Sequence, residues 1–83
     1  MPKMVVDVVL FAHYRDCYPP EHNGAEPYRL ALQEGTDVSS VAALLQLPDV
    51  AHAAAFVNHR KVPTTTVLGD GDRLALLPPI AGG

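Results

Sequence analysis

The stretch from Asp37 to Pro48 constrains the fold most. Asp37 is a helix N-cap type, whose carboxylate accepts from the N–H groups of a first turn. Val38, Val41, Leu44 and Leu45 then fall at helical spacing and form an apolar stripe. Pro48 disfavours helix in the residue before it, so the spacing predicts a helix over about Val38 to Gln46. Every other patterned segment reads as strand. Met4 to Ala12 is rich in β-branched and aromatic residues, and Asp7 marks its solvated face. Its apolar character on both faces suggests a central strand. Pro27 to Gln33 alternates Tyr28, Leu30 and Leu32 with Arg29, Ala31 and Gln33, and Glu34-Gly35 closes it. Past a connection over Pro48 to Ala53, Ala54 to Asn58 is a third strand with Phe56 as its core anchor. Asn58-His59-Arg60-Lys61 is a tight turn, in which Asn tolerates positive φ. Lys61-Val62-Pro63 is a short strand that Pro63 confines to an edge. Arg73 to Leu77 is the last strand, entered by a turn in which Gly71 supplies a φ that other residues resist.

A strand pair, a helix and further strands predict an α+β fold, a mixed sheet of four to five strands with one main helix on one face. The matching periodicities put Val6, Val8, Leu10, Leu30, Leu32, Val38, Val41, Leu45, Phe56, Leu74 and Leu76 in the core. The other sheet face stays open. Ala75 and Leu77 lie on it, as an apolar strip suited to docking a partner.

Composition narrows the function. The 83 residues make one domain with a thin core, and 48% apolar content is enough for a globular fold. The net charge of −3, with no basic run, makes nucleic acid a poor partner and a basic protein surface a better one. No stretch approaches the length of a membrane span, and Met1-Pro2-Lys3 runs into strand-like sequence without signal-peptide features. Cys17 has no second cysteine to pair with, which fits a reducing, cytoplasmic setting. The segment His13 to Glu26 gathers His13, Asp16, Cys17, Glu21 and His22. That spacing matches no standard zinc pattern, and the segment reads as a polar, solvated loop with no metal site. A Cys-His nucleophile built on Cys17 is the minor alternative.

The final block, Leu76-Leu77-Pro78-Pro79-Ile80-Ala81-Gly82-Gly83, has its own logic. Pro78 and Pro79 each fix φ and cannot donate to a ladder, so the sheet should end near Leu77. Gly82 and Gly83 carry no Cβ and can thread a channel too narrow for other residues. The chain thus divides into a folded body over 1–77 and a flexible Gly-Gly tail over 78–83.

Four strings resemble one family. They are Leu10-Phe11-Ala12 with Arg15, Glu34 to Val38, Val57-Asn58 to Val62-Pro63, and Gly69 through Gly83. Together they resemble the MoaD/ThiS sulfur carriers of the β-grasp (ubiquitin-like) class, nearest the small subunit of molybdopterin synthase. The terminal block is the specific part. The segment His13 to Glu26 is longer than the family usually has, and His59 sits where a glycine is common. The resemblance implies that Gly83 is the reacting residue, with Pro78, Pro79, Ile80, Ala81 and Gly82 lying in a partner's channel. It implies an E1-like adenylating enzyme that brings ATP and Mg, a sulfur donor, and the molybdopterin synthase large subunit. This chain would itself bind no cofactor and be a carried co-substrate rather than an enzyme. Sulfur transfer toward thiamine or tRNA, conjugation to proteins as a ubiquitin-like modifier, and a plain β-grasp interaction domain with an idle tail are the alternatives.

Overall fold

A computed structural model describes residues 3–19, 22 and 27–79. Among these, five strands form one mixed sheet in the order β2-β1-β5-β3-β4. They are β1 (Lys3–Leu10), β2 (Tyr28–Gln33), β3 (Ala54–Val57), β4 (Arg60–Val62) and β5 (Arg73–Leu77). β1 pairs antiparallel with β2 and parallel with β5, which therefore lies at the middle of the sheet. β3 pairs antiparallel with both β5 and β4. One α-helix, α1 (Val38–Leu44), and two 3-10 segments, Ala12–Cys17 and Val50–His52, complete the described elements. The expected α+β architecture is the observed one.

Asp37 caps α1 as its residue type predicts. Its Oδ1 accepts from the Ser40 N–H at 2.9 Å and from the Ser39 hydroxyl at 3.1 Å. These hydrogen bonds, those from Ser40 foremost, hold its carboxyl below the usual carboxylate range. Two further N–H groups of the first turn find backbone partners. Val38 donates to the Thr66 carbonyl at 3.0 Å and Ser39 to that of Thr64 at 2.9 Å. The segment Thr64–Leu68 is thereby strapped across the helix start, which brings Leu68 into the core.

The helix ends before Gln46, where the periodicity extended it. Gln46 takes a left-handed φ of 59°, the Gln46 N–H bonds the Ala43 carbonyl, and the Leu47 N–H bonds that of Ala42. This is a Schellman closure, with glutamine in the place glycine usually fills. It turns Leu47 back into the core. The same geometry corrects the predicted stripe. Val38, Val41, Ala42 and Leu45 are buried, whereas Leu44 is 59% exposed.

Met4, Val6, Val8 and Leu10 of β1 and Leu74 and Leu76 of β5 face the helix. Two expected core residues do not reach full burial. Leu30 is half-buried because it sits on β2, an outer strand of the sheet. Phe56 faces the other way. Ala55, not Phe56, shares the buried face with Leu76, and Phe56 pairs with Ala75 on the open side.

The segment after β1 is also corrected. Ala12 takes a positive φ of 52° and starts a 3-10 helix rather than a plain loop. Tyr14, which no strand or helix periodicity flags, is fully buried there. Tyr18 Oη accepts from the Leu10 N–H at 2.8 Å, beyond the point where β2 stops pairing with β1.

Candidate functional site

The open sheet face and the strand that leads to the chain's last residues form one surface. β5 brings Ala75 and Leu77 to it, and β1 brings Val9 on one side and β3 brings Phe56 on the other. Phe11 follows β1 and is 44% exposed. Its N–H donates to the Leu76 carbonyl at 3.1 Å, so it is tied to the end of β5. These five apolar residues floor a groove of about 310 Å³. His59 and Arg73 stand on its rim.

A second, larger groove of about 820 Å³ adjoins it and shares Phe11 and Leu77. Ala54, Pro78 and Pro79 extend its apolar wall, and His13, His52 and Lys61 supply its polar part. Leu77 therefore stands between the two grooves, at the root of the terminal block. Pro78 is buried and Pro79 half-buried. Ile80, Ala81, Gly82 and Gly83, which carry the expected tail chemistry, lie outside the described residues.

No carboxylate lines either groove among the described residues. Those nearby are engaged elsewhere. Asp7, on the same face, sits 3.5 Å from the Arg29 guanidinium. Asp72 accepts from the Gly69 N–H at 2.7 Å and from the Asn58 amide at 3.0 Å. Asp70 accepts from the Val5 N–H at 2.8 Å. The charged side chains that line the two grooves, Lys61 and Arg73, are both cationic.

The expected docking residues Ala75 and Leu77 do meet on this surface. Phe11, Phe56, His59 and Lys61 join them and were not foreseen there. Alternation could have found Phe56 only if the register of β3 against β5 were known, because either Ala55 or Phe56 can face the core.

The segment with Cys17 lies apart from both grooves. Cys17, Asp16 and Tyr18 line a separate hollow with Leu44 and Leu45. His22 stacks on Tyr18, with ring centroids 4.2 Å apart, and meets Tyr28 edge-on. Among the described residues no three His, Cys, Asp or Glu side chains gather as metal ligands. None of the described helices is long and apolar enough to cross a membrane.

Residues 8–83 match the sequence pattern of the ThiS family. The chain belongs to the ThiS family. This member is 41% identical over 58 residues to the molybdopterin synthase sulfur carrier subunit of Mycobacterium tuberculosis, a match covering 63% of this chain and 70% of that relative. Its fold is similar to subunit 1 or 2 of molybdopterin-converting factor in the protein–protein complex from Helicobacter pylori. That match has a TM-score of 0.56 and 26% identity over 96% of this chain and all of that one, 100%. It also resembles small archaeal modifier protein 1 of Haloferax volcanii, with a TM-score of 0.69 over 93% of this chain and 99% of that one. At 19% identity the latter likeness shows the shared β-grasp fold alone.

Proposed function

We propose that this ThiS-family chain is a sulfur carrier that serves as the small subunit of a molybdopterin synthase. The observation that carries the reading is the family match, which runs from residue 8 through the terminal block to residue 83, together with the likeness to the M. tuberculosis sulfur carrier subunit. Gly83 is the reacting residue. A terminal α-carboxyl ionises near pH 3.5, so it is an anion at about neutral pH and a poor acyl donor. Its oxygen attacks the α-phosphorus of ATP on an adenylating enzyme, and pyrophosphate leaves. Sulfur from a donor then attacks the acyl carbon and AMP leaves, so one carboxylate oxygen is replaced by sulfur. ATP and Mg belong to the activating partner.

The body's part is docking. The apolar floor around Leu77 and Ala75 seats the partner, and Pro78 and Pro79 direct Ile80, Ala81 and Gly82 into its channel. The large subunit of molybdopterin synthase is the acceptor complex, a pairing supported by the two-subunit complex among the fold relatives. The cytoplasm is the setting of this chemistry.

Intact-mass spectrometry tests the reading. The chain is incubated with the adenylating enzyme of its own genome, ATP and sulfide. A mass gain equal to sulfur replacing oxygen, lost when Gly83 is deleted, is the expected outcome. No gain, or conjugates to lysines of other proteins in place of it, would refute it.

A further inference from the structure

The turn between β3 and β4 is strained, and the strained residue faces the groove. Asn58 and His59 are the two central residues of this hairpin, with φ of 52° and 72°, between the paired Val57 and Arg60. Both central positions of such a turn need positive φ, so asparagine followed by glycine is its favoured pair. Asn58 suits the first position. It also holds the turn against β5: its N–H donates to the Arg73 carbonyl at 2.9 Å and its Oδ1 accepts from the Arg73 N–H at 3.0 Å. His59 takes the second position against its backbone preference. An outlier of this kind points to a function for the side chain.

That side chain stands on the groove rim beside Arg73, across the floor made by Phe11, Phe56 and Leu77. Lys61, with His13 and His52, continues the polar margin round Leu77 into the adjoining groove. The acidic groups close to this margin are Asp7, bound to Arg29, and Asp72, bound to Gly69 and Asn58. Both keep their charge, and Asp7 is the cross-strand partner of Arg73, but neither lines either groove.

We infer that His59 is a specificity residue of the docking face, and that the groove takes a segment of the large subunit presenting an apolar side chain flanked by carboxylates. The inference rests on the sulfur-carrier reading above and adds the partner's chemistry. The apolar side chain fills the floor, and its flanking carboxylates meet His59, Arg73 and Lys61. Charges at a rim act mainly on encounter rate, partner choice and salt dependence.

Calorimetric titration of the full chain with the purified large subunit encoded in the same genome tests this. The Kd should weaken about tenfold between about 50 and about 500 mM NaCl, and Lys61→Glu should weaken it about as much. His59→Gly separates a binding role from a structural one. It relieves the turn, so Tm should rise by about 2–5 °C, while docking weakens about three- to tenfold. His59→Lys should restore the affinity.

Wild-type affinity in His59→Gly, or a Kd indifferent to salt, would overturn the inference. So would self-association of the chain alone that the same variants abolish, which would give the groove to a second copy. Failure to bind the large subunit would also overturn it, while sulfur gain at Gly83, read separately by mass, would leave the carrier chemistry standing. Conversely, salt- and His59-dependent docking without sulfur gain would uphold the inference and sink the chemistry.

Discussion

The Tyr14 hydroxyl donates to the carbonyl oxygen of Pro48 across 2.6 Å. The bond joins the segment after β1 to the segment after α1, 34 residues apart in sequence. Tyr14 is fully buried, and burial pushes its phenol above its ordinary value, with the charges of Asp49 and Cys17 adding to the effect. Tyr14→Phe keeps the ring and removes one hydrogen bond, which should cost about 0.5–1.5 kcal/mol in urea unfolding. Tyr14→Ala should cost about 3–5 kcal/mol, as aromatic truncations in cores do. The raised value makes the neutral phenol the folded form. Its stability contribution is whole below about pH 10, the unfolded value, and falls as pH rises through the folded one. Wild type should therefore lose its advantage over Tyr14→Phe in alkali, and an advantage that grew there would contradict the burial argument.

Helix register has a direct test in two adjacent leucines. Leu45 is 7% exposed and Leu44 is 59% exposed. Leu45→Ala should destabilise by about 2–5 kcal/mol, and Leu44→Ala by no more than about 0.5 kcal/mol. Equal effects in thermal melts would show that the helix presents another face to the sheet.

Asp37 should make stability depend on acid. Its carboxyl lies below the usual range because Ser40 and Ser39 donate to the charged form. Its contribution is whole above about pH 4, the unfolded value, and is lost as pH falls through the lowered folded value. Asp37→Ala should lower Tm by about 4–8 °C at neutral pH, with a smaller difference in strong acid. An undiminished difference at the lowest pH would mean that the cap does not act through its charge.

Body and tail should fail separately. Leu77 is half-buried on the open face, at the junction of the two grooves. Leu77→Asp would place a charge in an apolar contact, so binding to the adenylating enzyme should weaken about tenfold or more while the melt stays near wild type. Gly82→Val should do the opposite, because a branched side chain needs room that glycine does not. Docking should persist and adenylate formation should vanish. Adenylation of Gly82→Val at the wild-type rate would refute the channel argument.

The sequence by itself determined the five strands, α1 and their order, because these follow from local chemistry. An N-cap aspartate, a helical apolar spacing and a proline stop marked α1. Period-two alternation marked β2, and paired prolines after Leu77 marked the end of β5. The terminal block also carried the family resemblance without any fold. Tertiary structure decided the rest, because it depends on partners distant in the chain. Which of Ala55 and Phe56 is buried depends on the register of β3 against β5, and a shift of one residue reverses every side chain. Leu44 lost its place in the core to Ala42, which is buried while Leu44 faces solvent. Tyr14 is buried through a 3-10 turn that no periodicity announces, and its hydroxyl finds its acceptor at Pro48. The grooves around Leu77 exist only once Phe11, Phe56, His59 and Lys61 arrive from separate segments. A docking face of this kind is a property of strand order, and strand order is settled by long-range pairing.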